Sequence, residues 1–247
     1  MTAFWIFLAV HSGLAAGPVP GLKVSERTWQ GSRWVVAEVD LSMASLDLVG
    51  QRATAPSPHT LGRTARQLKE AGVEVGFATN AGIYMEDRRP LGLHIEAGHQ
   101  HRDVNRAEGH GNFYMKPNGI FALGAEGAIV RRTTEVPDDP AGFTLATQSG
   151  PLLVRDDVIH PKFLPESKSR KVRSVVGVRD PQHIVLAVSV DRVRFYDAAT
   201  FLRDELGCAD ALYLDGTVSS WWTPKRSHIE GDPDGYGGIL VVTAPGG

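Results

Sequence analysis

Apolar runs in this chain are short, and half of the ten stop directly at Gly, Asn or Asp. Residues 35–41, 46–49, 73–79, 120–123, 128–130, 152–154, 174–178, 184–190, 211–214 and 239–243 follow one another with turn residues between them. Runs of that length, rich in Val, Ile and Leu, bury as strands, whereas a helix needs a longer stretch of 3.6-residue periodicity. Such periodicity is clear at two places. Thr60 is placed to cap a helix with Leu61, Ala65 and Leu68 on one face and Gly72 at its end. Asp197 is placed to cap a second over 198–206, burying Ala198, Phe201 and Leu202 and closing at Gly207. Pro117-Asn118-Gly119, between the aromatic stretches 112–115 and 120–123, predicts a hairpin. The expected fold is α+β: a single domain on a strand-rich, mixed or antiparallel sheet with a few flanking helices, not a doubly wound one.

No linker, repeat or low-complexity segment divides the 247 residues, and one sizeable core is within reach of that length. With 26 Lys and Arg against 28 Asp and Glu, the net charge of −2 excludes a nucleic-acid footprint. The cluster Lys168-Ser169-Arg170-Lys171-Val172-Arg173 is the local exception. The single cysteine, Cys208, excludes an internal disulfide and reads as a small buried hydrophobe. Residues 1–17 combine an apolar run, 4–10, with Ala15-Ala16-Gly17, which is too short to span a bilayer and reads as a signal peptide. An exported protein, periplasmic or secreted, is therefore expected, with a first strand or a membrane anchor as the competing readings. No other segment could cross a membrane, and the oligomeric state is not encoded in any visible pattern.

There is no Walker loop, no dinucleotide fingerprint, no nucleophile elbow and no His-Glu-x-x-His. His99-Gln100-His101 lacks a carboxylate or thiol at metal-site spacing, so no metal ligand is assigned. No cofactor is expected, and a divalent cation stays open. What remains are polar strand-end loops: Asn80-Ala81-Gly82, Gly111-Asn112 with Asn118-Gly119, Gln148-Ser149-Gly150, Arg170 with Arg173, and Asp215-Gly216 with Ser219-Ser220. Amides and hydroxyls read sugar oxygens, and the planar guanidinium matches phosphate. The bland alternative is that each loop is an ordinary turn, because Asn, Gly, Ser and Asp-Gly favour turns. Asp215, delivered by the apolar run 211–214, sits where strand ends carry chemistry.

Several pieces then occur in a recognisable order. They are 77–84 (Phe-Ala-Thr-Asn-Ala-Gly-Ile-Tyr), 90–93, 111–119 (Gly-Asn-Phe-Tyr-Met-Lys-Pro-Asn-Gly), 146–152, Ile159-His160-Pro161, 169–173, and 206–216 ending in Leu-Asp-Gly. Together they resemble the phosphodiester glycosidase domain family, which includes the lysosomal uncovering enzyme, and more closely its bacterial, YigE-type branch. The resemblance covers about residues 33–244, and the domain is placed at 24–244. It departs at Thr217-Val218-Ser219, where the lysosomal branch continues Gly-Gly-Ser.

The resemblance implies a hydrolase that cleaves a sugar-1-phosphodiester of an envelope or extracellular glycan. In that reading Asp215 stabilises or attacks the anomeric carbon, while Arg170 and Arg173 hold phosphate. Asn80, Gly82, Tyr84, Asn112, Lys116, Asn118, Gln148, Ser149, Gly150, Gly216, Ser219 and Ser220 would contact the substrate. The partner is a sugar phosphate or glycan. Two rivals are a non-catalytic glycan-binding protein on the same fold and an ester hydrolase using Ser149.

Overall fold

The computed structural model describes residues 19–50, 60–216, 218–228 and 235–246. The expected signal peptide, residues 1–17, lies outside them, as does Thr217. The strands begin with β1 (Leu22–Trp29), β2 (Ser32–Asp40), β3 (Ser45–Val49), β4 (Val75–Asn80), β5 (His94–Glu96) and β6 (His99–Arg102). They continue with β7 (Gly119–Gly124), β8 (Gly127–Arg132), β9 (Phe143–Ser149), β10 (Leu152–Arg155), β11 (Val158–Ile159) and β12 (Ser174–Asp180). The last are β13 (His183–Ser189), β14 (Asp210–Asp215), β15 (Trp221–Trp222), β16 (Ser227–His228) and β17 (Ile239–Thr243). The helices are α1 (Leu61–Glu70) and α2 (Phe195–Thr200), the latter running on as a wider π-helical turn, Phe201–Glu205.

Three sheets form, in the orders β1-β2-β13-β12-β14-β10-β11, β16-β15-β4-β17-β3 and β6-β5-β9-β7-β8. Every pairing described is antiparallel, which decides between the two expected sheet types. Their inner faces share one core, with Leu186, Val176 and Leu214 from the first sheet, Phe77 and Leu240 from the second, and Phe121 and Leu145 from the third. The central strands are buried on both faces, and so their sequences are nearly continuous apolar runs. On β13, Ile184, Leu186 and Val188 face the shared core, whereas Val185 and Ala187 face α2. Gly177 is required there, since a Cβ would meet Cys208 Sγ at 2.5 Å. Helix α1 covers the second sheet through Leu61 and Ala65.

Some elements differ from expectation. Residues 112–115 are not a strand: Asn112–Tyr114 form a 3-10 turn with Phe113 buried, held by Asn118 Nδ2 donating to the Phe113 carbonyl at 2.7 Å. The hairpin is instead β7–β8, turning at Ala125-Glu126. Strands β1, β5 and β6 add to the expected set, and their polar residues (Ser-Glu-Arg in β1, His-Gln-His-Arg in β6) hide them from an apolar scan. Helix α2 starts three residues before the expected 198, because the Asp197 carboxylate reaches back to the Arg194 N–H at 3.0 Å instead of capping from outside. Gly207, at φ +67°, closes the element as expected.

Candidate active site

Register pairs six strand ends, two in each sheet. Asp215 at the end of β14 pairs with Ser174 at the start of β12, Asn80 at the end of β4 pairs with Ile239, and Ser149 at the end of β9 pairs with Gly119. Ser174 is the junction. Its buried hydroxyl accepts from Asn80 Nδ2 at 2.8 Å and from the Asp215 N–H at 3.1 Å. Ser219 Oγ, 3.2 Å from Ser174 Oγ, donates to the Asp215 carbonyl at 2.9 Å. Asn80 Oδ1 accepts from the Ser220 N–H at 3.1 Å, and Thr79 Oγ1 donates to the Ser220 carbonyl at 2.8 Å. The backbone on both sides of residues 215–220 is thus fastened to β4 and β12. The carboxylate at its head is half-buried, with Oδ1 accepting from the Gly216 N–H at 2.5 Å.

Beside it stands Tyr213, two residues earlier on β14 and near enough for the Asp215 charge to act on its hydroxyl. Its ring is buried, and its hydroxyl accepts from Asn112 Nδ2 at 3.3 Å. A Cβ on residue 216 would meet that hydroxyl at 2.5 Å, so glycine is needed for the loop to lie against it. Burial, and next the Asp215 charge, push the Tyr213 hydroxyl well above its ordinary pKa, so it is a proton-bearing group at neutral pH.

Arg173 is only 2% exposed, which separates it from the solvated basic cluster that precedes it. Its guanidinium carbon lies 3.6 Å from the Phe195 ring centroid and 5.5 Å from that of Tyr213. Nε donates to the Val193 carbonyl at 3.0 Å. Phe195 stacks in turn on Phe163 at 5.0 Å, and Phe163 on His160 at 4.6 Å. Burial lowers the arginine pKa while Tyr213 and Asp197 oppose the shift; a guanidinium stays charged under such perturbation. A desolvated cation on an aromatic shelf thus backs the tyrosine that abuts the Asp215 loop.

The other expected residues divide. Arg170 is exposed and stands 3.6 Å from Asp197 Oδ2, the carboxylate that also acts on Arg173. Lys116 pairs with Glu108 on the outer side of the loop. Tyr84 donates to the Gly235 carbonyl at 3.4 Å and accepts from Arg88 at 3.3 Å. Gln148 uses its whole amide on the protein, accepting from the Leu93 and Asn105 N–H groups at 2.9 and 2.8 Å. It donates to the Asn105 carbonyl and Thr133 Oγ1 at 2.7 and 3.3 Å. Gly82 and Gly150 are close-approach positions, where a Cβ would meet the Gln148 carbonyl at 2.5 Å and Asn118 Cβ at 2.6 Å respectively. Ser149, fully buried, donates to the Leu214 carbonyl at 2.8 Å, so its hydroxyl ties β9 to β14 and is not placed as a nucleophile. Ser220 Oγ is buried with no hydrogen-bond partner among the described residues.

Sequence reasoning missed Ser174 and Tyr213. Neither had a clear signal: the register of β14 against β12 shifts between 213 and 215, so i, i+2 spacing does not fix a shared face, and Ser174 reads only as the first residue of an apolar run.

A phosphodiester glycosidase family model matches residues 74–237, which contain all of these side chains. The protein YigE of Escherichia coli (strain K12), itself uncharacterised, is 37% identical over 170 residues, 68% of this chain and 66% of that one. The chain therefore spans about two thirds of that relative's length. The fold is shared with the catalytic domain, auto-inhibited by its pro-peptide, of zebrafish N-acetylglucosamine-1-phosphodiester alpha-N-acetylglucosaminidase. That match has a TM-score of 0.63 at 15% identity and covers 94% of this chain and 87% of the other. A protein of Synechocystis is similar at TM-score 0.58 and 14% identity, over 91% and 62% of the two chains. On the family match and the YigE identity together, the chain belongs to the phosphodiester glycosidase family.

Proposed function

We propose that the protein hydrolyses a sugar-1-phosphodiester of an envelope or extracellular glycan, with Asp215 as the reacting carboxylate. The observation that carries this is the fastening of residues 215, 219 and 220, which presents one carboxylate near a proton-bearing tyrosine that is itself backed by a desolvated arginine. In the reaction the anomeric C1–O bond breaks. Water supplies hydroxide to C1 and a proton to solvent or to the departing phosphate, giving a free sugar and a phosphomonoester. Positive charge that develops at C1 is stabilised by a carboxylate. The leaving phosphate is already a weak base, so a cation field from Arg173 and a hydrogen bond from Tyr213 suit it better than a strong acid would. Arg170, exposed, is assigned an outer role in drawing the anion in. Asn80 and Ser219 hold the loop, and Asn112 orients the Tyr213 hydroxyl. Residues 1–17 would carry the protein to the compartment where such glycans lie.

The test is turnover of a chromogenic sugar-1-phosphodiester by the full chain, reading free sugar and phosphomonoester in equal amounts. Saturable binding of the ester without release of either product would replace hydrolysis by glycan binding.

A further inference from the structure

Two cavities lie apart from the strand-end cluster. The larger, about 460 Å³, is lined by Asp47, Glu126 and Thr144 among others, and no Lys, Arg or His reaches it. The smaller, about 320 Å³, lies between α1 and β15. Trp222, Ala65, Val75 and Pro224 supply its apolar surface, and Arg66 and Lys69 stand at its rim. Spaced i and i+3, these two cations share one side of the helix. Both are exposed, and neither has an ion pair among the described residues. Glu74 is the single carboxylate of the lining, leaving the rim with net positive charge.

The indole is left open by Gly62. A Cβ at that position would have Trp222 Cδ1, at 4.0 Å, as its nearest neighbour, so any longer side chain would lie across the ring. The volume is at the lower end for small-molecule pockets and suits one ring-sized unit. Trp222 is also close to the candidate active site. It pairs with Ala78, two residues before Asn80, and follows Ser220 by two residues, about 7 Å of extended chain.

We propose that this pocket is a second subsite for an anionic sugar unit of a longer glycan. The apolar face of the ring lies on Trp222, and its carboxylate or phosphate lies between Arg66 and Lys69. The choice of a saccharide rests on the glycosidic reading above; the aromatic wall and the positive rim do not. The acid-lined cavity at the other end has the wrong sign for the same ligand.

Calorimetric titration of the full chain with trigalacturonate, maltotriose 6-phosphate and unmodified maltotriose tests it. Binding of an anionic trisaccharide is expected, with maltotriose weaker by at least about tenfold, the scale of one hydrogen bond to a charged group. Whichever anionic probe binds more tightly identifies the group held. Gly62→Leu, which covers the indole, and the charge reversal Arg66→Glu with Lys69→Glu should each lower that affinity by at least about tenfold. Turnover of a small chromogenic sugar-1-phosphodiester should not change in either variant. Gly62→Leu raises helix propensity and the charge reversal leaves it nearly unchanged, which keeps a folding defect from imitating the result, and melting curves check both. Unchanged affinity in both variants, or no saturable binding of either anionic probe, overturns the subsite; equal binding of maltotriose overturns its anionic class. If hydrolysis fails while the variants still lose binding, the glycosidic reading falls and the subsite stands.

Discussion

Two polar strand-end corners of this protein look alike in sequence and differ in what their side chains do. At the end of β9, Gln148-Ser149-Gly150 faces inward. The amide of Gln148 has all four of its hydrogen-bonding positions filled by the protein, Ser149 is tied to the Leu214 carbonyl, and Gly150 presses against the 112–118 loop. At the end of β14, Asp215-Gly216 is held by its backbone, with the Asp215 charge acting on Tyr213. The lesson concerns which atoms do the fastening. Where side chains fasten the backbone, a corner is scaffold. Where other residues fasten the backbone, the corner is held without relying on its own side chain.

The largest expected effect is at Asp215. Asp215→Asn keeps the acceptor for the Gly216 N–H and the backbone bonds to Ser174 and Ser219, and removes the charge. Turnover should fall by at least about a hundredfold, the scale of one electrostatic contact in the transition state, with a melting temperature within a few degrees of wild type. An active but destabilised Asp215→Asn protein would make this corner a second scaffold and end the comparison. Gln148→Ala should behave oppositely. It strands the buried N–H groups of Leu93 and Asn105, costing about 2 kcal/mol in urea unfolding, while activity per folded molecule persists. Arg173→Lys comes next. An ammonium cannot reproduce the Val193 contact together with a planar stack on Phe195, so calorimetric affinity for a phosphate ester should drop about tenfold. Equal affinity in the two proteins would return Arg173 to a purely structural place.

Much of the fold was legible because the central strands β4, β12, β13, β14 and β17 are buried on both faces and must be apolar throughout. The polar edges β1 and β6 were not, since half or more of their side chains face water and their pattern is shared with loops. Asp215 was legible as a carboxylate at the end of an apolar run. The assignment of Gln148, Gly82 and Gly150 to ligand contact was a reading of residue type. Amides and glycines that close a scaffold are the same residues that bind sugars, and only the hydrogen-bond partners separate the two. Ser174 was invisible, because a hydroxyl at the start of a strand acquires meaning only when β4 and β14 arrive on either side of it.

Alkaline titration reaches the Tyr213 side of the comparison. Burial, then Asp215, raises the Tyr213 pKa above 10.0, and burial pushes the Cys208 thiol from 9.0 up to about 12. Both groups therefore keep their protons in the folded state at pH values where the unfolded chain releases them. The native state then binds more protons than the unfolded one, and stability falls as pH rises, from about 9 for Cys208 and about 10 for Tyr213. Each group contributes a slope of at most about 1.4 kcal/mol per pH unit. Tyr213→Phe should flatten the decline above pH 10, and Cys208→Ala the part that starts nearer 9, in urea unfolding series from pH 8 to 11. A Tyr213→Phe curve that runs parallel to wild type would show its hydroxyl to be in contact with solvent.

The smallest effect is expected at Ser220, and it bears most directly on the rule that backbone fastening marks the functional corner. The Ser220 N–H is bound by Asn80 Oδ1 and its carbonyl by Thr79 Oγ1, while its own hydroxyl is buried without a partner among the described residues. A buried hydroxyl without a partner costs free energy, and deleting it leaves both backbone bonds in place. Ser220→Ala should therefore leave the unfolding free energy from urea curves within about 0.5 kcal/mol of wild type or raise it by up to about 1 kcal/mol, at constant m. Gln148→Ala, measured alongside, should lose several times that amount. A loss at Ser220 as large as the one at Gln148 would mean that the hydroxyl has a fastening role after all. The two corners would then be built alike, each held by its own side chains.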